Sequence, residues 1–143
     1  MRVCGVELRS NEAIITLLSE DNGLFDIPDC RTRRMVLNDL NSSEELIEFN
    51  KTFAKLVEDY KIDKVVIKAR PLKGKFAGSA AGFKMEAAIQ MIGNADVHII
   101  SSSAVKEQLK HTPLMIDFRD TGLKKFQEPA FVTAFAWLSN KQK

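Results

Sequence analysis

The chain has 143 residues, 45% of them apolar and 28% charged, with 21 basic and 19 acidic side chains for a net charge of +2. That composition is globular, long enough for one domain over residues 1–143 and too short for two. No window approaches ~18 consecutive apolar residues, and the N-terminal MRVCGVELRSNEA carries a glycine and charges where a signal peptide would be apolar; neither a membrane span nor secretion is expected.

Residues 2–8 (RVCGVEL) are rich in β-formers, and after a Ser10-Asn11 turn residues 12–19 (EAIITLLS) give a second apolar run, so a hairpin is expected. Asp21-Asn22-Gly23 is a strong turn signal. Beyond it LFDIP and the later RRMVL form one long or two broken extended segments, with Pro28 at the break. A three-strand antiparallel meander follows from this.

Ser42 and Glu45 have capping-box spacing, and Leu46, Phe49, Phe53, Leu56 and Tyr60 recur on one face of a long helix. KVVIKA at 64–69 is a continuous apolar run of the kind that buried parallel strands show. A second helix runs from near Ser79 to a C-cap at Gly93, with Ala81, Met85, Ala88, Ile89 and Ile92 in one stripe, and returns the chain to DVHII at 96–100. Ser102 or Ser103 can cap a short helix over AVKEQLK, and residues 111–123 form a polar loop. Pro129 suits the first position of a last helix whose apolar face is Ala130, Phe131, Ala134, Phe135 and Leu138. Right-handed crossovers place the strand at 64–69 beside the first strand.

The order of elements resembles the ribonuclease H-like superfamily, and the local sequences are most similar to a shortened RuvC-type Holliday-junction resolvase domain, of a bacterial family of unknown function. Val3-Cys4-Gly5-Val6-Glu7 resembles that family's first strand, apolar-x-Gly-Ile-Asp, whose carboxylate is a metal ligand. KVVIKAR resembles its fourth strand, with Lys68 at the position of a second acidic ligand. GKFAGSAAGFKMEAAIQMIG resembles the small-residue helix that follows, and VHIISSSAVKEQL resembles the fifth strand and its P-x-x-V-K continuation. QEPAFVTAFAWL resembles the C-terminal D-A-A-D-A-L helix, with Glu128 at its second Asp and Lys125 at its first. The resemblance therefore implies an α/β fold with a five-stranded mixed sheet, three antiparallel strands and then two parallel crossover strands, covered by helices on both faces. It also implies catalytic positions at Glu7 and Glu128 with basic replacements at Lys68 and Lys125.

Two-metal phosphodiester cleavage needs several hard oxygen ligands around Mg²⁺ or Mn²⁺ ions about 3.5–4 Å apart, and Glu7 with Glu128 is too small a set. The alternatives are a Glu7–Lys68 or Glu7–Lys125 ion pair, a residual metal site on Glu7 and Glu128, or no contact; register decides. No cofactor is expected, unless Mg²⁺ or Mn²⁺ serves an active nuclease in which an acid from 117–120 completes the set.

From Lys64 to Lys84 there are six basic residues, Lys64, Lys68, Arg70, Lys73, Lys75 and Lys84, and no acidic one. Gly74, Gly78 and Gly82 with Ser79 would let a phosphate backbone approach, so Arg70, Lys73, Lys75 and Lys84 are the candidate nucleic-acid contacts; a merely solvated loop is the competing reading. Walker A spacing is absent, which disfavours ATP. His98 alternates within an apolar strand and reads as packed, whereas His111 with Glu107, Asp117 and Asp120 is a loose acid/base or metal candidate. Cys4 and Cys30 are expected to be free thiols in a reducing cytoplasm, and Cys30 beside Arg31 is the one whose pKa could be lowered. Trp137 and the Phe131/Phe135 stripe read as core, with Trp137 offset enough to reach a partner chain.

Three functions stay open on the sequence. The first is a degenerate, non-catalytic nuclease-like domain that binds nucleic acid through residues 64–84. The second is an active metal-dependent nuclease, and the third a protein-interaction module that forms a homodimer through its last helix. Fold alone does not choose among them.

Overall fold

A computed structural model describes residues 1–75 and 77–141; Phe76, within the small-residue stretch, lies outside them. The elements in order are β1 (Arg2–Arg9), β2 (Glu12–Asp21), β3 (Leu24–Asp26), β4 (Arg34–Val36), α1 (Ser43–Tyr60), β5 (Lys64–Lys68), α2 (Ala80–Gln90), β6 (Asp96–Ile100), α3 (Ser102–His111), 3-10 turns at Phe118–Thr121 and Lys125–Gln127, and α4 (Glu128–Lys141). The sheet order is β3-β2-β1-β5-β6, with β4 also on β2. β1 pairs antiparallel with β2 and parallel with β5, and β5 pairs parallel with β6.

Among the described residues the sheet thus has six strands rather than five. The expected third strand is split: β3 covers Ser19–Asp21 at one end of β2, and β4 covers Glu12–Ile14 at the other. The break falls where Pro28 cannot donate to a ladder, so the chain leaves the edge and rejoins it one strand-length away.

Sequence periodicity explains the two layers. Even-numbered residues of β1 (Cys4, Val6, Leu8) and odd-numbered ones of β5 (Val65, Ile67) meet Phe49, Phe53, Leu56, Met85 and Ile89 of α1 and α2 in one core. Val3, Leu18 and Val66 point the other way, onto Phe131, Ala134, Phe135, Trp137 and Leu138 of α4. Each fully buried large side chain adds roughly 1.5–3 kcal/mol, so both faces are strongly specified. The loop 111–123, polar on average, nonetheless sends Leu114, Phe118 and Leu123 against the second core. Trp137 is 7% exposed and lies against His98 with ring centroids 5.1 Å apart, so the last helix spends its aromatic residues inside the protein.

Helix termini follow the capping signals with small displacements. Ser42 Oγ accepts from the Glu45 N–H at 3.2 Å. α2 starts after Ser79, whose hydroxyl accepts from the Gly82 N–H at 2.9 Å and donates to the Ser10 carbonyl at 2.7 Å, which ties the helix to the β1–β2 turn. Ser101 rather than Ser102 or Ser103 caps α3. Gly93 lies three residues beyond α2 with φ +79°, and Met91 is the cap itself.

One glycine sets the depth of the second layer. A Cβ on Gly5 would stand 2.1 Å from the Ala130 carbonyl oxygen and 3.0 Å from the Ala134 Cβ. Only Gly lets the first turns of α4 lie directly on the central strand, and this contact carries the N-terminus of α4 to the Glu7 end of β1.

Candidate nucleic-acid interface

The carboxyl ends of β1, β5 and β6 lie together, and in open α/β sheets this end is where ligands bind. Glu7 sits there. Register runs Gly5 to Val66 and Val6 to Ile67, so the next step along both strands sets Glu7 beside Lys68 on the α4 face. Glu7 is 6% exposed, and its Oε1 is buried with no hydrogen-bond partner. Burial pushes its carboxyl pKa up; the positive charges of Lys68, Arg9 and Arg70, in that order, pull it back.

Those cations act through space. Among the described residues Glu7 makes no ion pair within 4.0 Å with Lys68, Lys125 or any other cation. The side-chain contact of about 4 Å that a charge pair would give is therefore absent, and desolvation outweighs the attraction. Glu7 is a buried acid held by the packing of its strand, with a ring of cations beyond it.

Around that acid the basic side chains line two grooves that share Pro129. The first, about 690 Å³, is bordered by Arg9, Lys124, Lys125, Phe126, Glu128 and Pro129. The second, about 250 Å³, takes in Lys68, Ser102 and Lys106. Arg9, Lys68, Lys106, Lys124 and Lys125 have no ion-pair partner within 4.0 Å among the described residues. Arg9, Lys106, Lys124 and Lys125 are exposed, and Lys68 is half-buried.

The floor of the larger groove is anchored. Gln127 is buried, its Nε2 donates to the Ile15 carbonyl of β2 at 2.9 Å, and its Oε1 accepts from the Lys124 N–H at 2.9 Å. Thr16 Oγ1 donates to the Gln127 carbonyl at 3.4 Å. This clamp sets Lys124, Lys125, Phe126 and Glu128 on the rim of the sheet, and the Arg34 guanidinium lies over the Phe126 ring, 4.2 Å from its centroid.

The basic run at 64–84 is divided by the fold. Lys64 pairs with Asp96 at the opposite end of β5, and Lys84 Nζ donates to the Leu40 carbonyl at 2.7 Å. Lys73 and Lys75 are exposed on the loop, and Arg70 is half-buried, its Cβ against Gly78. The glycines expected to admit a phosphate are mostly taken up internally: a Cβ on Gly78 would meet Arg70 at 2.7 Å, and one on Gly82 would meet Ser79 Oγ at 3.2 Å. Gly74, at φ +96°, has open space around it.

The acidic residues do not assemble a metal centre. Among the described residues no three His, Cys, Asp or Glu side chains converge. Glu128 borders the groove beside Lys124 and Lys125, Asp117 is held by Arg119 at 2.7 Å, and His111 pairs with Glu107 at 3.4 Å across one helical turn. A two-metal site needs more oxygen ligands than Glu7 and Glu128 and repels the cations that surround Glu7, so the residues present do not fit it. Burial raises the Cys30 thiol pKa despite Arg31, the reverse of the expected direction, because the side chain packs against the first core.

Arg9, Lys106 and Lys124 were not among the sequence candidates. Arg9 was within reach, being two residues from Glu7 on the same strand face. Lys106 and Lys124 become neighbours of the site only through the position of α3 and the 3-10 turn, which sequence spacing does not encode.

The architecture is that of the ribonuclease H-like, RuvC-type resolvases. The structure of Thermus thermophilus RuvC superposes with a TM-score of 0.74 at 11% identity, covering 99% of this chain and 96% of that one. The complex of the same protein with a Holliday-junction substrate gives 0.76. Fowlpox virus resolvase in complex with Holliday-junction DNA gives 0.60 at 12% identity over 100% of both chains, and the yeast mitochondrial Holliday-junction resolvase 0.63 at 8%, over 96% of this chain and 77% of that one. Residues 1–137 match the family model described as "Protein of unknown function (DUF3010)", and the chain belongs to that family. No curated protein sequence matches it significantly.

Proposed function

We propose that the protein is a non-catalytic nucleic-acid-binding domain on a resolvase scaffold, in which a groove of unpaired cations receives the phosphate backbone where a nuclease would hold metal ions. The observation that carries this reading is the gathering of Arg9, Lys124 and Lys125 along one groove, with Lys68 and Arg9 near enough to act on the buried Glu7 at the carboxyl end of the parallel strands. A cation there neutralises phosphate directly, whereas a carboxylate could do so only through a metal. RuvC and the fowlpox resolvase, which share this fold, are both seen with Holliday-junction DNA.

Backbone contact of this kind gives binding that is sequence-independent and steeply salt-sensitive, because each neutralised phosphate releases about one condensed counterion. Arg70, Lys73 and Lys75 of the loop are further candidate phosphate contacts in this reading. Incubation of labelled junction, duplex and RNA–DNA hybrid with Mg²⁺ or Mn²⁺, run beside an equilibrium binding titration at about 50 mM salt, tests both halves. The reading expects bound but intact substrate. Metal-dependent cleavage abolished by Glu7→Gln, or no affinity for any substrate, would overturn it.

A further inference from the structure

The larger groove is more than a basic strip. It is lined by three cations, Arg9, Lys124 and Lys125, against one anion, Glu128, and it also carries an aromatic ring, Phe126, and the ring of Pro129. At about 690 Å³ it is in the range of pockets that hold a small-molecule-sized group, such as one nucleotide. Phe126 is half-buried, and the Arg34 guanidinium lies over its ring, 4.2 Å from the centroid, with the Arg34 side chain 48% exposed, so a base would stack on the outer side of the Arg34–Phe126 pair. Arg34 is itself steadied by Glu12 at 3.5 Å. A duplex offers phosphates to such a surface but keeps its bases stacked inside; a single strand offers both.

We propose that this pocket takes one unpaired nucleotide of a single strand, its phosphate against Arg9, Lys124 and Lys125 and its base against the Phe126–Arg34 platform. The proposal rests on the reading of the groove as a backbone-binding surface and specifies which nucleic acid it prefers. The Gln127 clamp makes the pocket ready before binding, because Phe126 precedes a residue tied to β2 through both its carbonyl and its side chain, and that side chain also holds the Lys124 N–H. Base–aromatic stacking tolerates any sequence, since every base has a π face. The preference is therefore for unpaired over paired strands and not for particular bases.

The test compares three fluorescein-labelled probes of equal length by anisotropy: a mixed-sequence single strand, its duplex, and a strand with abasic sites throughout. The abasic strand keeps every phosphate and loses every base. The single strand should bind about tenfold more tightly than the abasic strand at about 50 mM salt, a stacking contribution within the range measured for single-strand binders. Phe126→Leu should erase that difference while leaving the slope of log affinity against log salt unchanged. Phe126→Trp should keep it and report the strand through quenching of the new indole. Equal affinity for intact and abasic strands, with salt-sensitive binding of both, would overturn this inference and leave the backbone-binding reading intact. Absence of binding to all three would overturn both.

Discussion

Lys68 stands beside Glu7 on the face of the sheet that α4 covers, one register step past the Val6–Ile67 pair, yet the two make no ion pair within 4.0 Å. Glu7 feels the lysine as a field rather than as a contact, and burial decides its ionisation. Its pKa is raised in the folded protein. A raised acid binds its proton more tightly in the native state, so the native state is favoured most at low pH, and that advantage is lost as pH rises through the folded pKa. Glu7→Gln should therefore raise the melting temperature at pH 7, and the gain should shrink to nothing as pH falls to the ordinary carboxylate range. Lys68→Met should destabilise the wild type at pH 7 and have little effect when combined with Glu7→Gln. Thermal melts of the wild type, the two single variants and the double variant between pH 4 and 8 check the cycle, and equal effects of Lys68→Met in both backgrounds would contradict it.

Gly5 is the residue on which the site's geometry depends. Its Cα side faces the Ala130 carbonyl, and a methyl there would be 2.1 Å from that oxygen. Gly5→Ala should cost about 3 kcal/mol or more of unfolding free energy, since backbone would have to move to relieve the overlap. At Gly93, with φ +79° and open space around it, the same substitution should cost only about 1 kcal/mol, through backbone strain alone. Urea denaturation of both variants distinguishes the two mechanisms; similar losses would mean that α4 does not lie on β1 as described.

Lys84 has a structural task. Its ammonium donates to the Leu40 carbonyl, so Lys84→Met should lose about 1.5 kcal/mol of stability. The same variant should leave affinity for nucleic acid and its salt dependence unchanged. Measurement of both on one preparation would show whether the charge serves the interior, and a flattened salt plot would contradict this assignment.

Much of the fold was legible because the periods are strong. The alternation of Val3, Gly5 and Glu7 against Cys4, Val6 and Leu8, and the unbroken run at 64–68, encode a central strand with a parallel neighbour, and β1 and β5 pair that way. The split of the third strand was only half visible: Pro28 marked a break, while the return of Arg34–Val36 to the far end of the same edge depends on long-range pairing. The candidate site was less legible. Composition drew attention to the run at 64–84, but whether a lysine faces solvent or a carbonyl is set by tertiary contact, as Lys84 and Lys64 show. The groove joins Arg9 to Lys124 and Phe126, more than a hundred positions away, and tertiary contacts such as the clamp from Gln127 to Ile15 and the seat of α4 on Gly5 bring them together.

The central claim is that the unpaired cations of the groove meet phosphate. Its most direct measurement is the slope of log affinity for a duplex against log salt in two double variants of equal charge change. One is Lys124→Ala with Lys125→Ala in the groove, and the other Lys51→Ala with Lys55→Ala on α1 across the sheet. Loss of two phosphate contacts should flatten the slope by about two units in the first and leave the second like the wild type. Slopes altered equally in both variants, or unaltered in the groove variant, would contradict the claim.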